Sequence, residues 1–234
     1  MSIQIFLDTS DKDQITTESS NPLIKGFTTN PSLMRKAGVV DYKTFCKEVL
    51  AVINDKPISF EVFSDDFSVM EKQAREIASW GKNVYVKIPI TNSKAESSCL
   101  LIKELLSNKI KLNITAVYTI EQVKEASLVL KSETPAIISV FAGRIADTGT
   151  DPKPIMAEAR KVCNTRPNVQ LLWASTREAF NVVEAESLGC DIITIPLDLV
   201  KKIQSFGRDL SLLSLETVQT FVRDAKLSGF FLDL

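Results

Sequence analysis

The chain has 234 residues, 44% of them hydrophobic, and its 28 basic and 29 acidic side chains leave a net charge of −1. That length suits one full core, such as a single α/β barrel, and would make two domains cramped. The balanced charge, with no long basic run, argues against a nucleic-acid partner, and the complete lack of histidine excludes Ser-His-Asp and Cys-His machinery and nearly every zinc enzyme.

The opening Met-Ser-Ile-Gln-Ile-Phe-Leu-Asp has neither a basic n-region nor a long apolar h-region, and no uninterrupted apolar stretch approaches the ~18 residues of a membrane span. A cytoplasmic protein with no membrane partner is expected. Cys46, Cys99, Cys163 and Cys190 are scattered without a C-x-x-C pair, which suits reduced thiols and argues against a zinc knuckle.

Short β-rich runs then alternate with longer amphipathic ones, the pattern of βα units. Strands are predicted near Ile3–Leu7, Gly26–Thr28, Ile58–Val62, Val84–Ile88, Leu112–Ala116, Ala136–Phe141, Gln170–Ala174 and Ile192–Ile195. Between them lie predicted helices at Asp41–Asn54 (with Asp41 as N-cap), Asp66–Trp80, Lys94–Ser107, Thr119–Lys131, Pro152–Asn164, Thr176–Leu188 and Leu197–Phe206. Asn-Pro at 30–31 and Asp-Pro at 151–152 break the pattern without marking domain boundaries. The expected fold is a single (β/α)8 TIM barrel spanning residues 1–234, with an extra C-terminal helix at Leu215–Lys226. The apolar tail Gly229-Phe-Phe-Leu-Asp-Leu234 is costly to leave in water, so packing on a neighbouring subunit is expected of it.

The fourth strand carries the most pointed signal. Val84, Val86 and Ile88 make a buried run that is expected to stop at Ile88, because Pro89 cannot donate to a central ladder, and Lys87 lies in its last turn. A lysine there is desolvated or reaches an opening, conditions that favour the neutral amine used in Schiff-base chemistry; the bland alternative is a side chain that snorkels past a sheet edge. Barrel enzymes keep their chemistry at the C-terminal strand ends. Asp8 ends the first predicted strand, Thr28-Thr29-Asn30 the second and Glu61 the third. The fifth carries Asn113 and Thr115, the sixth leads to Ser139, Phe141 and Arg144, and the seventh to Ser175-Thr176-Arg177. Singly these have dull explanations, such as helix caps for Asp8 and Asn30 or a surface ion pair for Arg144. Seven polar strand ends converging on one rim are harder to dismiss.

Six blocks now carry a resemblance: Phe-Leu-Asp-Thr-Ser at 6–10, Thr-Thr-Asn-Pro-Ser at 28–32, Val-Lys-Ile-Pro at 86–89, Asn-Ile-Thr at 113–115, Phe-Ala-Gly-Arg-Ile at 141–145 and Ala-Ser-Thr-Arg at 174–177. They resemble the signature blocks of the transaldolases, in the family's order, and the short length resembles the compact subfamily that also contains the fructose-6-phosphate aldolases. The resemblance implies a metal-independent enzyme without cofactors that acts on sugar phosphates. Lys87 resembles the Schiff-base lysine, Glu61 the acid–base glutamate that with Thr115 holds a water, and Asp8 the carboxylate that takes the C4 hydroxyl proton. Asn30, Asn113 and Ser139 sit where the family binds the dihydroxyacetone unit, and Thr28 is expected to position Asp8. Arg144 and Arg177, with Ser175, resemble the phosphate clamp, a role that guanidinium forks suit.

The implied reaction moves a dihydroxyacetone unit reversibly from fructose 6-phosphate to erythrose 4-phosphate, yielding sedoheptulose 7-phosphate and glyceraldehyde 3-phosphate, as in the pentose phosphate pathway. Two alternatives stand beside it: an aldolase releasing free dihydroxyacetone, and a sugar-phosphate-binding barrel without catalysis. Phe141 and Glu61 match the transaldolases, whereas the aldolases resemble them but carry tyrosine and glutamine. A homo-oligomer, decamer or pentamer, is implied by the compact relatives. Trp173 and Phe63 depart from the family pattern. The parity of Trp173 with Ser175 predicts that it faces the barrel interior, either as core or as a residue that narrows the pocket.

Overall fold

The computed structural model describes residues 2–232, so the last two residues of the apolar tail lie outside it. Of the described residues, those up to Val200 form one compact unit and those from Lys201 a second. In the first unit, eight parallel strands close in sequence order into a barrel. They are β1 (Gln4–Asp8), β2 (Ile24–Thr28), β3 (Ile58–Glu61), β4 (Val84–Pro89), β5 (Leu112–Val117), β6 (Ala136–Val140), β7 (Val169–Trp173) and β8 (Ile192–Ile195). Helices follow the strands, which is the (β/α)8 architecture that the alternating pattern predicts.

Side-chain alternation along each strand stacks the interior in layers. Phe6, Ile137, Leu172, Ala174 and Ile192 form a buried apolar cluster, with Tyr85 and Phe141 packed against it. Gly26 makes room for the Phe6 ring: a Cβ there would stand 2.5 Å from it. Two residues further along the same strands stand Asp8, Lys87, Ser139 and Thr194. The apolar layer is therefore the floor beneath the polar strand ends.

Local chemistry explains most helix starts. Asp41 caps α3 (Tyr42–Val52), Asp66 caps α4 (Phe67–Ala78), and Thr119 closes a capping box on α6 (Ile120–Val129). Pro152 precedes α8 (Lys153–Asn164), its ring fixing a helical φ at the helix start. Three short helices escape the periodicity: α1 (Lys12–Glu18), α2 (Pro31–Lys36) and α7 (Ala142–Ala146), each too short to display an amphipathic stripe. Two predicted starts are too early. Residues 92–97 form a turn in which Asn92 Oδ1 accepts from the Lys94 and Glu96 amides, so α5 begins at Cys99 and runs to Ser107. Asn181 Oδ1 likewise accepts from the amides of Arg177 and Glu178, delaying α9 to Asn181–Ser187. Nor does β4 stop at Ile88: Pro89 keeps register with Thr115 as the strand's last residue, where the missing donor costs the ladder little.

The helix α10 (Leu197–Ile203) runs across the boundary between the units. In the second unit, α11 (Leu210–Leu227) starts five residues before the predicted position because Asp209 accepts from the Leu212 amide. None of its residues is buried, and Leu212, Leu215, Val218, Phe221 and Val222 are exposed along it. Among the described residues no helix is long and apolar enough to cross a membrane.

Candidate active site

A cavity of about 290 Å³ opens over the apolar floor at the C-terminal ends of the strands. Its lining includes Asp8, Thr28, Asn30, Glu61, Lys87, Asn113, Thr115, Ser139, Phe141, Arg144 and Ser175, which gathers every predicted site residue but Arg177.

Lys87 is the centre of this group. Register makes Glu61 and Asn113 its Cα partners on β3 and β5. The lysine side chain is 8% exposed, its Nζ lies 3.1 Å from Glu61 Oε2, and it donates to the Thr29 carbonyl at 2.9 Å. The snorkelling alternative is thereby set aside, since the amine turns inward onto a carboxylate. Glu61 is itself held from behind. The half-buried Tyr42 hydroxyl donates to its carbonyl at 2.7 Å, and the amides of Phe63 and Ser64 donate to Gln73 Oε1, fixing the loop that leaves β3. Phe63 points away from the cavity lining and packs edge-on against Tyr42, with ring centroids 5.3 Å apart.

Across the barrel, Asp8 Oδ1 accepts from Thr28 Oγ1 at 2.7 Å. Burial pushes the Asp8 carboxyl up from its ordinary range, and the Lys87 charge and the Thr28 hydrogen bond offset only part of that. A second chain runs Ser139 Oγ to Asn113 Oδ1 at 2.6 Å and Asn113 Nδ2 to Ser59 Oγ at 3.0 Å, which sets the orientation of the Asn113 amide. Asn30 caps α2, its Oδ1 accepting from the Leu33 amide, and the residue also lines the cavity.

The phosphate-clamp pair separates. Arg144 reaches the cavity with its guanidinium 5.1 Å from the Phe141 ring and donates to the Tyr118 hydroxyl at 3.3 Å. Arg177, behind Ser175, is engaged elsewhere: its Nε lies 2.9 and 3.0 Å from the two oxygens of Asp147, and Nη1 donates to the Ser175 carbonyl at 3.1 Å. The Arg177 hydrogen bonds hold the Asp147 carboxyl below its usual range. The surface ion pair considered for Arg144 thus occurs at Arg177. Asp147 is 30 residues away in sequence and has no strand-end signature, so sequence reasoning misses it.

Trp173 is core, as one of its two readings has it, but it does not face the cavity. It is buried, 1% exposed, but the cavity lining takes Leu172, Ala174 and Ser175 and not Trp173. Ser175 has φ +64°, which inverts the strand alternation after Ala174, so residues 173 and 175 do not share a face. A non-local approach accompanies the inversion: the Gly143 backbone comes so close that a Cβ on it would stand 1.6 Å from the Ser175 carbonyl oxygen. Thr194, which lines the cavity, and Ser59, which accepts from Asn113, are residues that the sequence reading passes over. Their signal is a small hydroxyl side chain in an otherwise apolar strand, Ser59 at the parity of Glu61. Among the described residues no three Cys, Asp or Glu side chains gather at metal-binding separation.

The family model described as transaldolase/fructose-6-phosphate aldolase matches residues 5–230. A probable transaldolase of Methanococcus maripaludis strain C7 is 34% identical over 202 residues, covering 86% of this chain and 89% of that protein. A probable transaldolase of Roseiflexus castenholzii is 33% identical over 215 residues, covering 92% and 94%. A third, from Thermoanaerobacter sp. strain X514, is 34% identical over 202 residues.

Proposed function

The chain belongs to the transaldolase/fructose-6-phosphate aldolase family, and we propose that it is a class I, metal-independent transaldolase that moves a dihydroxyacetone unit between sugar phosphates through a Schiff base on Lys87. The observation that carries this reading is the buried Lys87 amine, 3.1 Å from Glu61 and in the same cavity as a carboxyl group that desolvation has made more basic.

The neutral amine of Lys87 attacks C2 of fructose 6-phosphate to give a carbinolamine. Glu61, through a water held with Thr115, moves the protons that let hydroxide leave as water and form the iminium. Asp8 then takes the C4 hydroxyl proton. The C3–C4 bond breaks, its electron pair flows into the iminium to give an enamine, and glyceraldehyde 3-phosphate departs. The enamine adds through C3 to the aldehyde of erythrose 4-phosphate, and the same steps in reverse release sedoheptulose 7-phosphate. Asn30, Asn113 and Ser139 supply hydrogen bonds for the three-carbon unit, with Ser59 orienting the Asn113 amide, and Arg144 supplies a guanidinium for phosphate.

Phe141 favours transfer over release. The aldolases of this family resemble the chain but carry tyrosine at that position, and a phenyl ring has no hydroxyl with which to orient the water that protonates or hydrolyses the enamine. The place of such a reaction would be the pentose phosphate pathway in the cytoplasm. Self-association through the exposed apolar residues of α11 and through Phe230, Phe231 and Leu232 completes the proposal.

Borohydride added with fructose 6-phosphate should inactivate the protein and leave a reduced dihydroxyacetone unit on Lys87. Labelling at another lysine, or none, would remove the mechanism. Without an acceptor aldehyde little free dihydroxyacetone should appear, and its rapid release would instead favour the aldolase.

A further inference from the structure

The eighth strand has no part in the mechanism above, yet its Thr194 lines the cavity, and its hydroxyl stands 2.5 Å from that of Thr28, which is 2.7 Å from Asp8 Oδ1. The three groups make a chain whose polarity is fixed by proton counting. Thr28 has one hydroxyl proton, and an ionised carboxylate can only accept. While Asp8 is ionised, the Thr28 proton points at Asp8, so the contact between the two threonines is a hydrogen bond only when Thr194 donates. Proton capture by Asp8 allows the reverse order, with the carboxyl donating to Thr28 and Thr28 to Thr194.

The placement of Thr194 is built into the barrel. Its Cα is in register with Phe6 on β1, two residues before Asp8, and its carbonyl accepts the Thr176 hydroxyl at 2.7 Å. The side chain is almost wholly buried, 6% exposed, so water competes little for its hydroxyl. β2 and β8, which flank β1, contribute only these two hydroxyls at this end. The charged groups that face Asp8 across the cavity are Lys87 from β4, Glu61 from β3 and Arg144 from α7.

We infer that Thr194 is a positioning residue for Asp8: by donating to Thr28 it commits the single Thr28 proton to the Asp8 carboxylate and holds that carboxylate, aimed at the cavity, as a proton acceptor. Hydrogen bonds in such a chain polarise one another, so the remote hydroxyl strengthens the contact it does not itself make. The inference rests on the role proposed for Asp8 in C3–C4 cleavage.

Thr194→Val removes the donor with little change of shape, and Thr194→Ser keeps it. Carbon-13 titration of the Asp8 carboxyl in the substrate-free protein, assigned by its loss in Asp8→Asn, reads the chain without any turnover. The titration should move to higher pH in Thr194→Val and return in Thr194→Ser. The acid limb of the pH profile for cleavage should move the same way, with kcat at neutral pH falling about 3–10-fold, the order expected for one hydrogen bond, and KM nearly unchanged. An unmoved titration in Thr194→Val, or a serine variant that behaves like the valine one, overturns the inference. A shifted titration with an unmoved cleavage profile leaves the chain intact and removes Asp8 from the reaction, so the two failures are distinct.

Discussion

Asp8 is placed against its own contribution to stability. Burial raises its folded-state pKa above the ordinary 3.8, so the folded protein binds that proton more tightly than the unfolded chain does. Its favourable contribution is complete below the unfolded pKa and is lost as pH rises through the folded one. Asp8→Asn should therefore raise the melting temperature at neutral pH, with the gain closing as pH falls below about 3.8; an unchanged or lower Tm at neutral pH would contradict the burial argument. The same variant should accumulate the uncleaved ketose adduct. Glu61→Gln should instead slow Schiff-base formation and hydrolysis by roughly 10²–10⁴-fold. Mass spectrometry of borohydride-reduced adducts separates the two variants, and identical intermediates would defeat the division of roles. Arg177 poses a different test, because a phosphate must share or displace its Asp147 partner. Arg177→Ala should raise KM for fructose 6-phosphate about tenfold or more while leaving free fructose or dihydroxyacetone little affected, as a charge-assisted contact made only by phosphate requires. Equal losses on both substrates would make Arg177 structural.

At the scale of elements, the site depends on one close crossing. The short helix α7 carries Arg144, and its Gly143 lies against the backbone of Ser175, whose left-handed φ brings residues 174 and 175 both onto the cavity. Strand seven can thus offer a polar group at the rim while Leu172 and Ala174 keep the floor. Gly143→Ala would place a Cβ 1.6 Å from a carbonyl oxygen, which only backbone movement can relieve. Overpacking of this kind costs about 1–3 kcal/mol. The variant should melt lower and lose affinity for phosphorylated substrates before it loses Lys87 trapping; native stability in that variant would show that α7 and β7 yield easily. The two delayed helix starts are illegible because side chains compete with the helix for the backbone amides. Asn92 and Asn181 hydrogen-bond to amides that would otherwise begin a helix, a competition that hydrophobic periodicity does not register.

For the molecule as a whole, closure of the barrel gathers a site from all eight strands and the segments that follow them, while the second unit exposes an apolar helix. Phe221 is 67% exposed on α11, so Phe221→Glu should leave the barrel folded and active per chain but lower the mass measured by light scattering. An unchanged mass would exclude that face from self-association.

The sequence by itself determined the strands, because continuous β-branched and apolar runs are local patterns, and it located Asp8, Glu61 and Lys87, because charged residues that end such runs have few other places to go. It also carried the order of the motif blocks, hence the family. Only the tertiary structure decided that Thr194 completes a hydroxyl chain to Asp8, that Ser59 orients Asn113, that Asp147 engages Arg177, and that Trp173 faces away from the cavity. Each of these rests on residues far apart in the chain meeting across the closed barrel. The inverted backbone at Ser175 shows the reason most plainly: the approach of Gly143 accompanies a local conformation that strand parity in the chain does not encode.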